Sequence, residues 1–324
     1  MHQQTVTPNV SRKVSKEARR RTRGRWRAAA LATALVGLAT GLLGALPMAS
    51  PAGAATPTPT GYWEIGNNGS LWSIGGAQSV ALSSPLSLTL SAPIVGIAST
   101  PDGKGYWAVG SDGGVFAYGD AGYYGSLPQS HIKPSQPIVG IAATPDGKGY
   151  WLVGGDGGIF NFGDATYEGS LPGMKIKVTN IVGISATSDG LGYWLVGSDG
   201  GVFAFGDAPF DGSIYTKTGS ASPSPIVGIT GSPNGSGYLL ARNDGAVFAF
   251  GSPYFGGSPL LSGIAGETFV GIQYTPDGEG YWLEGTDGGV FTYGDAGFFG
   301  SVPGILANTG LKIGAPIVGF APTL

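Results

Sequence analysis

Beyond residue 60 the chain alternates short apolar runs with glycine-centred polar breaks, and the alternation repeats. One unit, IVGIAATPDGKGYWLVGGDGGIFNFGDATYEGSLPG (138–173), predicts four strands. Ile138–Thr144 is followed by the turn PDGKG, then by Tyr150–Gly154, which is rich in aromatic and β-branched residues. Asp156-Gly157 supplies the tight two-residue hairpin, because its geometry needs positive φ. Ile159–Phe162 follows, then a GDA turn and a fourth strand, Tyr167–Leu171. No helical periodicity appears after residue 60. In GYWLVG, Tyr and Leu face one side of the strand while Trp and Val face the other, and both sides are apolar. Such a strand belongs between two layers.

The second-strand glycine recurs at Gly61, Gly105, Gly149, Gly192, Gly237 and Gly280, in steps of 44, 44, 43, 45 and 43. Four antiparallel strands in that period are the signature of a β-propeller blade. The two ends are offset. The first unit opens on its second strand, GYWEIG, whereas the chain closes on an unaccompanied first strand, PIVGFAPTL. The expected fold is therefore all-β: a six-bladed propeller of four-stranded blades, closed by residues 317–322 pairing beside Tyr62–Gly66. The repeated glycine of IVGI (Gly96, Gly140, Gly183, Gly228, Gly271, Gly319) is expected where the innermost strands crowd the axis.

The beginning of the chain differs in kind. Residues 1–27 carry nine Lys/Arg and one acid, residues 28–49 are apolar, and Ala52-Gly53-Ala54 offers a small-residue cleavage pattern. Residues 1–54 thus read as a secretory signal peptide, 55–60 as a linker and 61–324 as the propeller. Pro47 and the weakly apolar Gly/Ala run argue against a stable membrane span after cleavage. Without that segment eight basic residues face nineteen acidic ones, a net charge of −11, which argues against nucleic acid as a partner. The chain as a whole carries 61 Gly and no Cys, so the secreted domain must hold by burial, without disulfides.

The stretch GYWLVGSDGGVFAFGDA (192–208) resembles the glycine- and aromatic-rich repeat of secreted actinobacterial proteins. In that family such repeats sometimes accompany cell-wall hydrolase domains. The resemblance covers nearly the whole of 61–324 and implies secretion and a propeller, but it carries no catalytic residues to transfer. The strand and turn order also resembles an NHL-type blade, which speaks to fold alone.

Catalytic chemistry is sparsely represented. Thiol nucleophiles are excluded, and His131 is the lone histidine outside the signal segment. A sialidase Asp box does not match SDGGVFAF, and Arg242 is the lone arginine after residue 54. The aspartates are periodic and serve turns. The alternative reading is calcium at the PDG and GDA turns, with Asp102, Asp120, Asp146 and Asp164 as ligands and no other cofactor. Departures from the repeat mark Glu64, Arg242 and Glu284 as a non-repeated polar cluster, with an Arg242–Glu284 ion pair as its simplest form. The variable loops carry Lys133, Lys175, Lys177, Lys217 and Lys312 as candidate ligand contacts, and the fourth-strand aromatics are the exposed rings. The expected function is that of a monomeric, secreted, non-enzymatic binding propeller, associated with cell wall or carbohydrate. Its partner would be a polysaccharide or a cell-surface protein. The alternative is a carboxylate-based glycosidase or lyase.

Overall fold

The computed structural model describes residues 58–78, 90–259, 266–307 and 312–324; the expected signal peptide and the cleavage site lie outside them. The described residues form six three-stranded antiparallel sheets. Sheet one joins the C-terminal strand β18 (Ile317–Thr323) to β1 (Gly61–Gly66) and β2 (Leu71–Gly75). Sheet two holds β3 (Ile94–Ser99), β4 (Tyr106–Gly110) and β5 (Val115–Tyr118). Sheet three holds β6 (Ile138–Ala143), β7 (Gly149–Gly154) and β8 (Ile159–Gly163). Sheet four is β9 (Ile181–Ala186), β10 (Gly192–Gly197) and β11 (Val202–Gly206). Sheet five is β12 (Ile226–Gly231), β13 (Tyr238–Arg242) and β14 (Val247–Phe250). Sheet six is β15 (Phe269–Tyr274), β16 (Gly280–Gly285) and β17 (Val290–Gly294). Single-turn helices at Ile214–Thr218 and Val302–Leu306 lie in the connections after sheets four and six. The fold is β-propeller-like.

The offset ends meet as their sequences require. Tyr62 pairs with Pro322, Trp63 with Ala321 and Glu64 with Phe320. Every first strand slips register at its Val-Gly step, as between Ile138 and Gly140, so the valine is the extra residue of a bulge. First strands of successive sheets are neighbours: β3 beside β6, β6 beside β9, β9 beside β12, and β12 beside β15; β18 touches both β15 and β3. Glycine allows the closest of these approaches. A Cβ on Gly319 would stand 2.9 Å from Ile97 Cγ2, and one on Gly228 would stand 3.3 Å from the Ile272 nitrogen.

The expected fourth strand is not a strand: blades have three, and the segment after each GDA turn runs outside any ladder. A glycine near its middle takes a φ of 127° to 131° (Gly125, Gly169, Gly212 and Gly300), which takes the chain out of the extended β region. Side chains hold the segment instead. The Trp151 indole N–H donates to Thr166 O at 2.6 Å, and Tyr193 of the next sheet donates to Gly169 O at 2.6 Å. Trp107 and Tyr150 fasten the preceding segment in the same way, through Gly122 O and Gly125 O. The segments after sheets two, three, four and six are thus tied to their own sheet by a tryptophan and to the next by a tyrosine. In sheet five Leu239 replaces the tryptophan, and two tyrosines of the next sheet hold the segment, Tyr281 through Gly257 O and Tyr274 through Pro253 O at 2.9 Å.

The core lies between sheets. The Trp and Val face of one sheet meets the Tyr and Leu face of the next, as Trp151 and Val153 meet Tyr193 and Leu195. The Trp151 and Tyr193 ring centroids are 5.9 Å apart and both side chains are wholly buried. Rings of this size each contribute roughly 4–6 kcal/mol of gross burial. This repeated layer substitutes for disulfides.

Candidate functional site

Three surfaces and one buried pair depart from pure scaffolding. The connections between sheets run beside the second-to-third-strand hairpins, where Leu127 N donates to Gly113 O at 3.1 Å and Leu171 N to Gly157 O at 3.2 Å. That end carries Lys133, Lys175, Lys177, Lys217 and Lys312, all exposed. The hairpin aspartates Asp112, Asp156, Asp199, Asp244 and Asp287 share this end and offset the lysines. His131 and Lys175 occupy equivalent loop positions with φ of 54° and 62°.

The opposite end collects exposed Asp102, Asp120, Asp146, Asp164, Asp189, Asp207, Asp277 and Asp295, answered there by Lys104 and Lys148. The PDG and GDA turns of a sheet do lie together: the Thr100 hydroxyl is 2.9 Å from Asp102 Oδ1 and 3.1 Å from Asp120 Oδ1, and Thr275 bonds Asp277 and Asp295 in the same way. Asp102 and Asp146 also accept backbone N–H groups two residues on, from Lys104 and Lys148. Hydrogen bonds from Lys104 and Lys148 lead the causes that lower these two carboxyls to about 2. Their oxygens are occupied by turn bonds and lysine. Among the described residues no three His, Asp or Glu side chains converge as a metal cage.

Around the outside, the segment aromatics divide by position. Tyr123, Tyr167, Phe210, Tyr254 and Phe298 are exposed, one on the segment after each of sheets two to six. Where a second ring follows, it turns inward: Tyr124 packs on Tyr150 at 5.9 Å, and Phe299 packs on Tyr62 at 5.7 Å. The Tyr123 hydroxyl donates to Gln129 Oε1 at 2.8 Å, which sets a polar amide beside the ring. The pattern of inward and outward rings follows from the glycine after each pair, which sequence spacing alone left undivided.

The non-repeated polar residues do not form one cluster. Arg242 is paired with Asp244, with Nε 2.8 Å and Nη2 2.6 Å from its oxygens, and the guanidinium lies 5.7 Å from the Phe248 ring centre. The expected Arg242–Glu284 pair is absent, because the neighbouring hairpin carboxylate reaches the guanidinium first. Glu64 and Glu284 are instead facing residues. Glu284 occupies the Val position on sheet six, and Glu64 the Leu position on sheet one. Trp282 and Tyr62 pack in the junction between the same two sheets. The two carboxyls are 0% and 1% exposed, and none of their four oxygens has a hydrogen-bond partner. Burial, then the charge of Asp287, pushes Glu64 up to about 8; burial, then the charge of Glu64, raises Glu284 well above the carboxylate range.

Glu284 also lines a cavity of about 140 Å³ into which all six first strands contribute, including Gly96, Gly140, Gly183 and Gly228. Gln273 and Trp282 stand beside Glu284 in its wall. Sequence reasoning did not single out Gln273. Its signal was available: it replaces the Ala of IVGIA, as Ser185 and Thr230 do in the two preceding units. Those two hydroxyls accept N–H groups from the next sheet, Ser185 from Gly231 at 2.9 Å and Thr230 from Tyr274 at 3.2 Å. The residue aligned with Gly231 and Tyr274 in sheet one is Pro322, which has no N–H to offer Gln273.

No family model matches this chain, and no curated protein matches it. No helix among the described residues is long and apolar enough to cross a membrane.

Proposed function

We propose that this chain is a secreted, non-enzymatic binding protein, a closed six-bladed propeller whose rim engages polysaccharide of the cell surface. Three observations support the closed ring: the pairing of β18 with β1, the cyclic order of first-strand neighbours, and the cavity that all six first strands line. The observation that carries the binding reading is the rim. Four aromatic rings, Tyr123, Tyr167, Phe210 and Phe298, stand exposed at equivalent positions on sheets two, three, four and six, and Tyr254 stands exposed one residue earlier on sheet five; Phe298 is 60% exposed. A flat ring with an apolar face and a polar neighbour suits stacking against a sugar. Repetition around a rim turns weak single contacts into avidity for a polymer.

The enzymatic alternative requires an accessible acid pair that breaks the repeat. The pair that breaks it, Glu64 and Glu284, is sealed between sheets, which disfavours that reading. The lysine-bearing loops favour a second binding reading, a protein partner at the hairpin end. Purified protein is incubated with isolated cell walls and a panel of insoluble polysaccharides, with soluble sugars as competitors. Saturable retention that one sugar competes, and that weakens stepwise in Tyr123→Ala, Tyr167→Ala and Phe298→Ala, is the expected result. Retention unchanged by all three substitutions, or no retention at all, overturns the rim reading and moves the binding surface to the lysine loops.

A further inference from the structure

Six junctions separate the sheets, and five are filled alike. The facing residues are Val153 with Leu195, Val196 with Leu240, Val109 with Leu152, Ala241 with Leu283, and Ile65 with Ala108. In the junction of sheets six and one both partners are replaced by glutamate. The fold does not need acids there, as the five aliphatic pairs demonstrate. Two facing carboxylates in a dry layer repel each other and lose their hydration, and either cost is severe without a partner. No arginine, lysine or histidine among the described residues pairs with them. Asp287 adds a third negative charge, since its field acts on Glu64, while its Oδ1 is taken by Gly289 N–H at 2.8 Å.

We propose that Glu64 and Glu284 bind one hard divalent cation of the calcium class across the junction of sheets six and one. Four unpartnered carboxylate oxygens match such an ion in donor type, and two carboxylates match it in charge. Flexible, irregular oxygen coordination favours calcium over magnesium, which demands a near-ideal octahedron. Glu284 forms part of the wall of the axial cavity, the side from which an ion and the waters completing its shell would enter, although its oxygens are covered. The backbone allows close approach: a Cβ on Gly288 would stand 2.5 Å from Glu64 Oε2, and one on Gly271 3.4 Å from Glu284 Oε2. The ion would clamp β1 to β16 at the junction where the two ends of the chain meet. This site is separate from the exposed turn aspartates, whose oxygens are occupied.

The test uses chelator-stripped protein, titrated with calcium chloride in a calorimeter and melted with and without calcium. Wild type is expected to give a one-to-one binding isotherm and a higher melting temperature with calcium. The Glu64→Leu/Glu284→Val double variant restores the aliphatic pair of the other junctions. It is expected to melt at or above metal-free wild type and to show neither heat nor a calcium-dependent shift. Should the double variant fail to fold, Glu284→Gln is expected to weaken calcium at least tenfold, and unchanged affinity in it overturns the proposal. A full calcium response in a folded double variant also overturns it and places the ion elsewhere. So does a wild type indifferent to calcium, magnesium and manganese; if that protein loses stability between pH 6 and 9 while the double variant does not, the acids share protons instead.

Discussion

Removing one oxygen atom, in Tyr193→Phe, isolates how the outer segments are held. The Tyr193 ring is wholly buried between Trp151, at 5.9 Å, and Phe205, at 5.6 Å, so phenylalanine keeps the packing. The hydroxyl makes two bonds to the segment of the preceding sheet: it donates to Gly169 O at 2.6 Å and accepts from Glu168 N at 3.2 Å. Glu168 and Gly169 are half-buried, so water replaces the lost bonds only in part. At about 1 kcal/mol for each bond the expected loss is about 1–2 kcal/mol. For a domain of this size that lowers the melting temperature by roughly 2–8 °C. Urea unfolding measures the total, and hydrogen exchange locates it. The Glu168 amide should lose protection, while the amides of β10, whose ladders to β9 and β11 are untouched, should lose protection only in step with global stability. A change below about 0.5 kcal/mol with Glu168 still protected would refute the reasoning. It would mean that packing alone, without the tyrosine, holds the segment.

Three further outcomes are expected. Ending the chain at Gly314 removes β18, with wholly buried Ile317 and the ladder to β1; burial of the isoleucine alone is worth about 2–3 kcal/mol, so circular dichroism should show a melting temperature lower by more than roughly 10 °C or no cooperative transition. Gly319→Val places a branched side chain where a Cβ already stands 2.9 Å from Ile97 Cγ2, and chemical denaturation should register a loss of about 2 kcal/mol or more. Asp146, held by the hydrogen bond from Lys148 before all other causes, should titrate near pH 2 by carboxyl-carbon NMR and move toward ordinary values in Lys148→Met. Because that pKa is depressed in the folded state, its contribution to stability is present above pH 4 and is lost as pH falls toward 2.

Much of this molecule was legible because its information is local and repeated. A two-residue hairpin, a PDG turn and an alternating GYWLVG strand are each specified within a few residues, and six copies at one period correct one another. The offset ends predicted the pairing of Tyr62 with Pro322, since an unpaired first strand and a sheet lacking one are complementary. The periodic aspartates likewise read correctly as turn residues, because an Asx turn needs only its own backbone.

What sequence alone did not decide involves partners brought together by the stacking of sheets. Tyr167–Leu171 has the composition of a strand, yet a glycine at φ 131° and the two hydrogen bonds of Tyr193 from the next sheet take it out of the ladder. Arg242 has several acids within reach on paper, and only the hairpin geometry awards it to Asp244. Glu64 and Glu284 stand out as departures from the repeat at opposite ends of the chain. That they face each other depends on which side of one sheet meets which side of the next. Strand alternation assigns each residue to a face, but only the stacking of sheets, driven by burial of the Trp and Tyr layers between them, determines what lies across it.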